Sequence, residues 1–236
     1  VDKPYGKEIR GCLTCPDGYS LCGADMTSLE DTTKRHYMKP LDPEYVEEMS
    51  KEGFDPHLDL AKHAGVITQG DIDKHNSGEV SLTALRKNYK VVNYSATYGV
   101  GASTLSRNTG MNSKDAKKLL EAFWSRNWSV YKVASTARTR DLFGSTWLYN
   151  PVSEFWYSLR SDKDRFSTLN QGTGVFCFDS WVSLCRRYGI KTVGQFHDEI
   201  IALVSEGEEE QTKVTMEQAI ENLNNKLELN VPLGVD

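Results

Sequence analysis

The longest apolar run in the chain is Ile200-Ile201-Ala202-Leu203-Val204, five residues that follow directly on Phe196-His197-Asp198-Glu199. A membrane-crossing helix needs about 20 such residues, so this run is strand-length and no membrane span is encoded. With Lys191 to Phe196 before it, the run reads as a hairpin with His197-Asp198-Glu199 at the tip. An acidic helix is expected from Glu208 to Leu227. Near the other end, the turn signal Pro16-Asp17-Gly18 precedes Tyr19 to Ala24, a second strand that delivers Asp25 at its end.

Between these strands the pattern is helical. Thr27 to Met38, Pro43 to Lys51 and Asp55 to Ala64 suit three short helices opened by acidic or proline-containing starts. From Ser81, at 100° per residue, Leu82, Leu85, Tyr89, Val92 and Ala96 share one stripe, which predicts a helix over about 81–98 ended by Gly99 and Gly101. Arg86, Lys90, Tyr94 and Tyr98, each four apart, sweep from the edge of that stripe to the opposite side. A basic helix from Ser113 to Phe123, a helix from Trp128 to Leu142, a strand from Ser145 to Tyr149 and a helix from Arg165 to Tyr188 complete the reading, with Gly172 and Gly174 weakening the last. The expected class is α+β: an antiparallel-sheet platform interrupted by a helical insertion.

The 236 residues are 39% apolar and 26% charged, a globular composition that excludes disordered and collagen-like chains. Five cysteines are an odd number and favour a reducing, intracellular setting. Cys12-x2-Cys15-x6-Cys22 is half of a zinc arrangement with no second pair following, and reads as idle or buried thiols. The first residues carry neither an initiator Met nor an apolar signal core, so the sequence reads as a processed chain or an excerpt.

A net charge of −5 argues against a nucleic-acid partner until it is resolved along the chain. From Ala84 to Arg140 eleven basic and two acidic residues make a net +9, a candidate polyanion-binding face. From Phe196 to Asp236 ten acids and two bases make a net −8.

Two constellations carry possible chemistry. Asp25 and Asp198 lie at a strand end and a hairpin tip, where a rigid sheet can aim both at one point. Two carboxylates about 4 Å apart repel by roughly 4 kcal/mol at an effective dielectric of 20, so such a pair calls for cations, and hard oxygen ligands suit Mg²⁺. The second is the Arg86, Lys90, Tyr94, Tyr98 series, whose cations can grip a polyphosphate and whose rings offer stacking faces.

These residues match a family. Asp25-Met26-Thr27-Ser28-Leu29-Glu30 with His36-Tyr37-Met38 resembles motif A of the family A (polymerase I-like) DNA polymerases, bacteriophage-type. Arg86-x3-Lys90-x3-Tyr94-x3-Tyr98-Gly99 resembles motif B. Gln171-Gly172-Thr173 and His197-Asp198-Glu199 resemble the template–primer helix and motif C. Arg10, Asp55-x-His57 and Val231-Pro232-Leu233 extend the match over nearly the whole chain.

The resemblance implies a palm over 1–38 and 165–236 and fingers over 39–164. It implies a template-directed DNA polymerase active region that adds dNTPs to a primer 3′-hydroxyl and releases pyrophosphate. Asp25 and Asp198 would hold two Mg²⁺ ions, assisted by Glu199. Arg86 and Lys90 would neutralise the triphosphate, with Lys90 the proton donor to the leaving group. Glu30 would obstruct a ribose 2′-hydroxyl, Tyr94 would pack on the incoming sugar, Tyr98 would stack near the templating base, and Gln171 and His197 would contact the primer–template minor groove. Partners are primer–template DNA, dNTPs and a thumb- or exonuclease-bearing region or chain; the setting is the cytoplasm, of a host if the protein is phage-encoded.

The sequence departs from the family at Thr32, where an Arg is usual, and at Ser167, where an Asn is usual. Competing readings are a partner-dependent or non-catalytic DNA-binding subunit of a split polymerase, a single-subunit RNA polymerase, and a two-metal phosphohydrolase that leaves the Arg86 to Tyr98 helix without a task.

Overall fold

A computed structural model describes residues 4–236. The chain divides into two compact units, residues 1–33 with 173–236, and residues 34–172. In chain order the elements are α1 (Gly6–Gly11), β1 (Tyr19–Asp25), α2 (Leu29–Met38), α3 (Pro43–Met49), α4 (Pro56–His63), α5 (Gln69–Asn76), α6 (Thr83–Thr97), α7 (Ala102–Thr109), α8 (Ser113–Arg126), α9 (Trp128–Thr136), β2 (Thr139–Leu142), β3 (Ser145–Tyr149), β4 (Trp156–Leu159), α10 (Arg165–Arg187), β5 (Thr192–Phe196), β6 (Glu199–Ser205) and α11 (Glu209–Leu227). The expected α+β class with antiparallel sheets is what the chain adopts. Among the described residues no helix is long and apolar enough to cross a membrane.

The first unit is built on an antiparallel sheet of order β1-β6-β5. Ile200, Ile201, Ala202 and Val204 are all buried, so β6 is the central strand that the apolar run requires. Met216, Ala219, Ile220 and Leu223 recur at helical spacing on α11 and join Ala24, Ala202 and the enclosed Trp181 in one core. The indole N–H of Trp181 donates to the Met216 carbonyl at 3.2 Å, which satisfies the polar edge of a ring that lies fully inside. Cys177 and Cys185 share this core, and burial pushes both thiols up to about 12, so they are inert at neutral pH.

In the second unit Asp55 caps α4, a Thr68/Asp71 capping box opens α5, and Asn112 caps α8. Tyr89, Val92 and Ala96 of the predicted stripe are buried against Leu60, Leu105, Ala116 and Phe123. Each such side chain, once out of water, contributes roughly 1.5–3 kcal/mol. A second antiparallel sheet, of order β2-β3-β4, packs Leu148 and Leu159 onto Leu169.

Two sequence expectations change here and one holds. The helix expected from Trp128 to Leu142 stops at Thr136, and Thr139–Leu142 is a strand. Arg138 and Arg140 resemble helical surface residues in isolation, but pairing with β3 decides their conformation. The helix expected from Thr27 begins at Leu29, because the Thr27 amide bonds the Gly234 carbonyl at 3.0 Å instead. Finally, α10 runs through Gly172 and Gly174 unbroken. A Cβ on Gly172 would lie 2.9 Å from the Tyr157 ring, so close packing accounts for this helical glycine.

Candidate active site

In the first unit, β1 and β6 pair with Asp25 opposite Glu199, and the Met26 amide donates to the Asp198 carbonyl at 3.0 Å. Phe196 pairs with Glu199, which leaves His197 and Asp198 as a two-residue turn. His197 takes a positive φ of 60°, a strained conformation for a non-glycine residue that so tight a hairpin demands. The two expected carboxylates, Asp25 and Asp198, are therefore brought together by sheet register.

Their surroundings are strongly anionic. The Asp25 carboxyl is held above its ordinary range by partial burial and then by Asp198, Glu199 and Asp236. Asp236 joins this cluster because its backbone exchanges hydrogen bonds with Asp25 at 2.9 and 3.1 Å. Its side chain accepts from the Thr27 hydroxyl at 3.0 Å. Glu199 is ion-paired with Arg10. Gly23 leaves it room, since a Cβ there would meet a Glu199 carboxylate oxygen at 3.0 Å.

His197 Nδ1 lies 2.7 Å from an Asp198 oxygen, and this bond, followed by the Asp198 charge, raises the imidazole above its ordinary value. Glu30, in the first turn of α2, adds to that effect and is thus within electrostatic reach of the hairpin tip.

Among the described residues no three His, Cys, Asp or Glu side chains form a ready metal cage. Mg²⁺ keeps several waters and takes one or two carboxylates together with substrate phosphates. The donor set fits: hard oxygens, mutually repelling, at the rigid end of a sheet. Cys12 and Cys15 direct their thiols to the carbonyls of Glu8 and Tyr19 at 3.3 and 2.9 Å.

In the second unit, α6 carries the expected cations and rings. Arg86 donates to Asp55, whose carboxylate also accepts from the amides of His57 and Leu58 at 2.8 and 3.0 Å. Burial alone would raise the Asp55 carboxyl; the Leu58 amide, Arg86 and the His57 amide outweigh it and hold it below its ordinary range. Arg86 is therefore oriented by a carboxylate.

Lys90 is exposed, with its Nζ 5.9 Å from the centre of the Tyr94 ring. Tyr94 lies with its ring centre 6.0 Å from that of His57. Gln171 donates to the Tyr98 hydroxyl at 3.2 Å, which joins two of the expected DNA-contacting residues. The chain then turns at Gly99, with φ of 70° and a virtual Cβ only 3.0 Å from the Lys163 carbonyl.

Sequence reasoning treated Asp55 and His57 as secondary matches and assigned them no task. The structure makes Asp55 the partner of Arg86, and Asn93 Nδ2 lies 3.1 Å from His57 Nδ1. A signal was available: Asp55-Pro56 is a helix cap, and a capping carboxylate has acceptor capacity left for a cation. The departures are accommodated locally. Thr32 is buried, and the Ser167 hydroxyl donates to the Asp164 carbonyl at 3.0 Å.

An antiparallel sheet that gathers carboxylates at a hairpin tip, within an α+β chain, is the fold of a polymerase domain: the POL domain of Pol1 from M. smegmatis, solved with DNA primer-template and dNTP, aligns with all of this chain and 42% of its own at a TM-score of 0.72 and 20% identity. The chain is 26% identical to a thermostable DNA polymerase I of Thermus filiformis over its whole length, and 26% identical to DNA polymerase I of Lactococcus lactis subsp. lactis over 98% of it. It spans 28% and 27% of those two relatives' lengths. No family model matches. The resemblance to the polymerase I-like, family A enzymes thus extends from the motifs to the entire sequence.

Proposed function

We propose that this chain is the active region of a template-directed DNA polymerase, its first unit the palm and its second the fingers. The observation that carries the reading is the meeting of Asp25 and Asp198 at the end of the β1/β6 ladder, where like charges crowd and Asp25 resists ionisation. Similarity to DNA polymerase I along the whole chain supports it.

On this reading Asp25 and Asp198 hold two Mg²⁺ ions, with Glu199 assisting from its pairing with Arg10. When bound, such ions acidify the primer 3′-hydroxyl and balance charge on the triphosphate. Lys90 neutralises the triphosphate and donates a proton to the departing pyrophosphate, and Arg86, aligned by Asp55, adds a second cation. Tyr94 packs on the sugar, Glu30 obstructs a 2′-hydroxyl, Tyr98 stacks near the templating base, and Gln171 and His197 contact the minor groove. The relatives' greater length is consistent with a further region that grips duplex DNA, and the setting is intracellular.

Primer extension tests this. The chain, a labelled primer–template, Mg²⁺ and dNTPs should give template-directed extension that Asp25→Asn and Asp198→Asn abolish, with dNTPs preferred over rNTPs. Undiminished extension in both variants would sink the reading. A wild-type chain that binds Mg²⁺ and primer–template yet extends only when a second polypeptide is added would identify a subunit of a split polymerase.

A further inference from the structure

The sheet β2-β3-β4 has one face on a core and one face outward. Thr139, Leu148 and Tyr157 are in register on the inner face, with Leu148 fully buried. By alternation the outer face carries Arg140 from β2, Trp147 and Tyr149 from β3, and Trp156 from β4, with Arg138 just before β2 bonded through its carbonyl to the Tyr149 amide.

Four of these side chains, Arg138, Arg140, Tyr149 and Trp156, form a connected cluster. The Arg140 guanidinium lies 4.0 Å from the centre of the Trp156 ring, and Arg138 lies 5.2 Å from both Trp156 and Tyr149. The Tyr149 and Trp156 rings are 5.1 Å apart. Both arginines are exposed, and among the described residues neither is ion-paired with a carboxylate. The local acid Asp141 belongs to the inner-facing register and accepts from the Thr146 hydroxyl at 2.7 Å. At the β2–β3 turn, Phe143 is 96% exposed at a φ of 51° and Gly144 follows at 74°. That turn favours Asn-Gly or Asp-Gly, so an uncovered Phe there is placed against both backbone preference and solvation.

None of this serves the nucleotide-binding reading of α6. We propose that the outer face of β2-β3-β4, with Phe143 at its edge, is a binding platform for single-stranded DNA. Phosphates fit exposed guanidiniums held beside rings and not ion-paired with a carboxylate. Unstacked bases fit the aromatic edges and Phe143, and base–aromatic stacking is indifferent to sequence, as a template strand requires. Aromatic side chains on an open sheet are a known physical solution for splayed bases. An acidic peptide would use the arginines and leave Phe143 without a partner, and a duplex would hide its base faces. The choice of DNA over RNA rests on the polymerase reading; the platform itself does not.

The test is a fluorescence-anisotropy titration of the full chain with a labelled oligo(dT) of about ten nucleotides, a length within one groove-binding site. EDTA keeps divalent ions out of the measurement. Trp156→Ala and Phe143→Ser should each weaken binding by about tenfold. Arg140→Ala should weaken it by about fivefold and lower the slope of log affinity against log salt by about one. Trp156→Phe should recover most of the loss, because any flat ring stacks.

Arg140 and Phe143 are exposed, so their variants decide the question even if Trp156→Ala does not fold. Binding within about twofold of wild type for both, with native circular dichroism, would overturn the platform, since one lost base stack exceeds that. Equal displacement of oligo(dT) by poly-glutamate would also overturn it, in favour of an acidic polypeptide. Oligo(rU) binding as tightly as oligo(dT) would overturn the assignment to DNA. The two proposals fail separately: extension by the Asp25 and Asp198 variants removes the polymerase reading, whereas normal oligo(dT) binding by the Arg140 and Phe143 variants removes the platform.

Discussion

Asp59 and Glu48, in the second unit, share one cation: Arg126 donates to Asp59 at 2.9 Å and to Glu48 at 2.6 Å. Its guanidinium also lies 3.7 Å from the centre of the Tyr45 ring. Burial opposes the Arg126 charge, but the bonds to both carboxylates hold it firmly protonated. In the first unit Asp25, Asp198, Glu199 and Asp236 crowd together with Arg10 and His197 as their cationic partners, and Asp25 is left resisting its own charge. The two clusters use the same residue types. Where charge is matched inside the protein it joins helices; where it is left over it can meet a ligand.

The comparison breaks most sharply in activity. Asp25→Asn and Asp198→Asn should each reduce primer extension by a factor of about 10³ or more, equal to roughly 4 kcal/mol of barrier. Calorimetry should show that Mg²⁺ raises the melting temperature of the wild type and not of the double variant. Asp25→Asn should raise the melting temperature in metal-free buffer, whereas Asp198→Asn should lower it slightly at acid pH by losing the pairing with His197.

The matched cluster should behave in the opposite way. Arg126→Met leaves Asp59, whose side chain is only 4% exposed, with Lys62 at 3.3 Å as its remaining cation. Urea denaturation should show a loss of about 3 kcal/mol. Extension measured well below the new midpoint should persist.

Lys90 tests the proposed role of α6. Lys90→Ala should lower the rate of nucleotide addition by about 10² and Lys90→Arg by less, since charge survives but the proton donor does not. Arg86→Ala should also free Asp55, so part of its effect should appear as lost stability in the same urea experiment.

The smallest effect is a pH dependence. His197 is raised above its ordinary value by Asp198, so its charged form stabilises the folded chain below the unfolded value of about 6.5. That contribution disappears as pH rises through the folded value. Thermal melts of His197→Asn against wild type should diverge on the acid side and converge in alkaline buffer. The same sign of pH dependence holds for Asp25 in a lower window, since its raised value means that ionisation works against folding as pH climbs from about 4. The gain from Asp25→Asn should therefore grow with pH.

Much of this was legible in the sequence. The apolar stripe of α6, the strand ending at Asp25 and the hairpin at His197-Asp198 are local patterns, set by periodicity and turn residues, and they emerged where expected. The β2-β3-β4 sheet was legible only at β3, because the propensities of Thr139 to Leu142 and Trp156 to Leu159 are weak and partner strands decide them. The basic stretch from Ala84 to Arg140 reads as one polyanion face, yet Arg126 is taken up by two carboxylates, Asp59 and Glu48, and Arg86 is held by Asp55. Charge counts add along a chain, whereas compensation depends on what lies across space.

The sequence by itself determined which residues could do chemistry: their types, their order and their helical or strand spacing, all properties of neighbours along the backbone. Only the tertiary structure decided which charges remain unspent. Register set Asp25 opposite Glu199, the chain's last residues added Asp236 to that crowd, and folding brought Asp55 to Arg86 and stacked Arg138 and Arg140 on rings from two other strands. Electrostatic strength falls with distance and rises with burial, and neither quantity exists until the chain is folded.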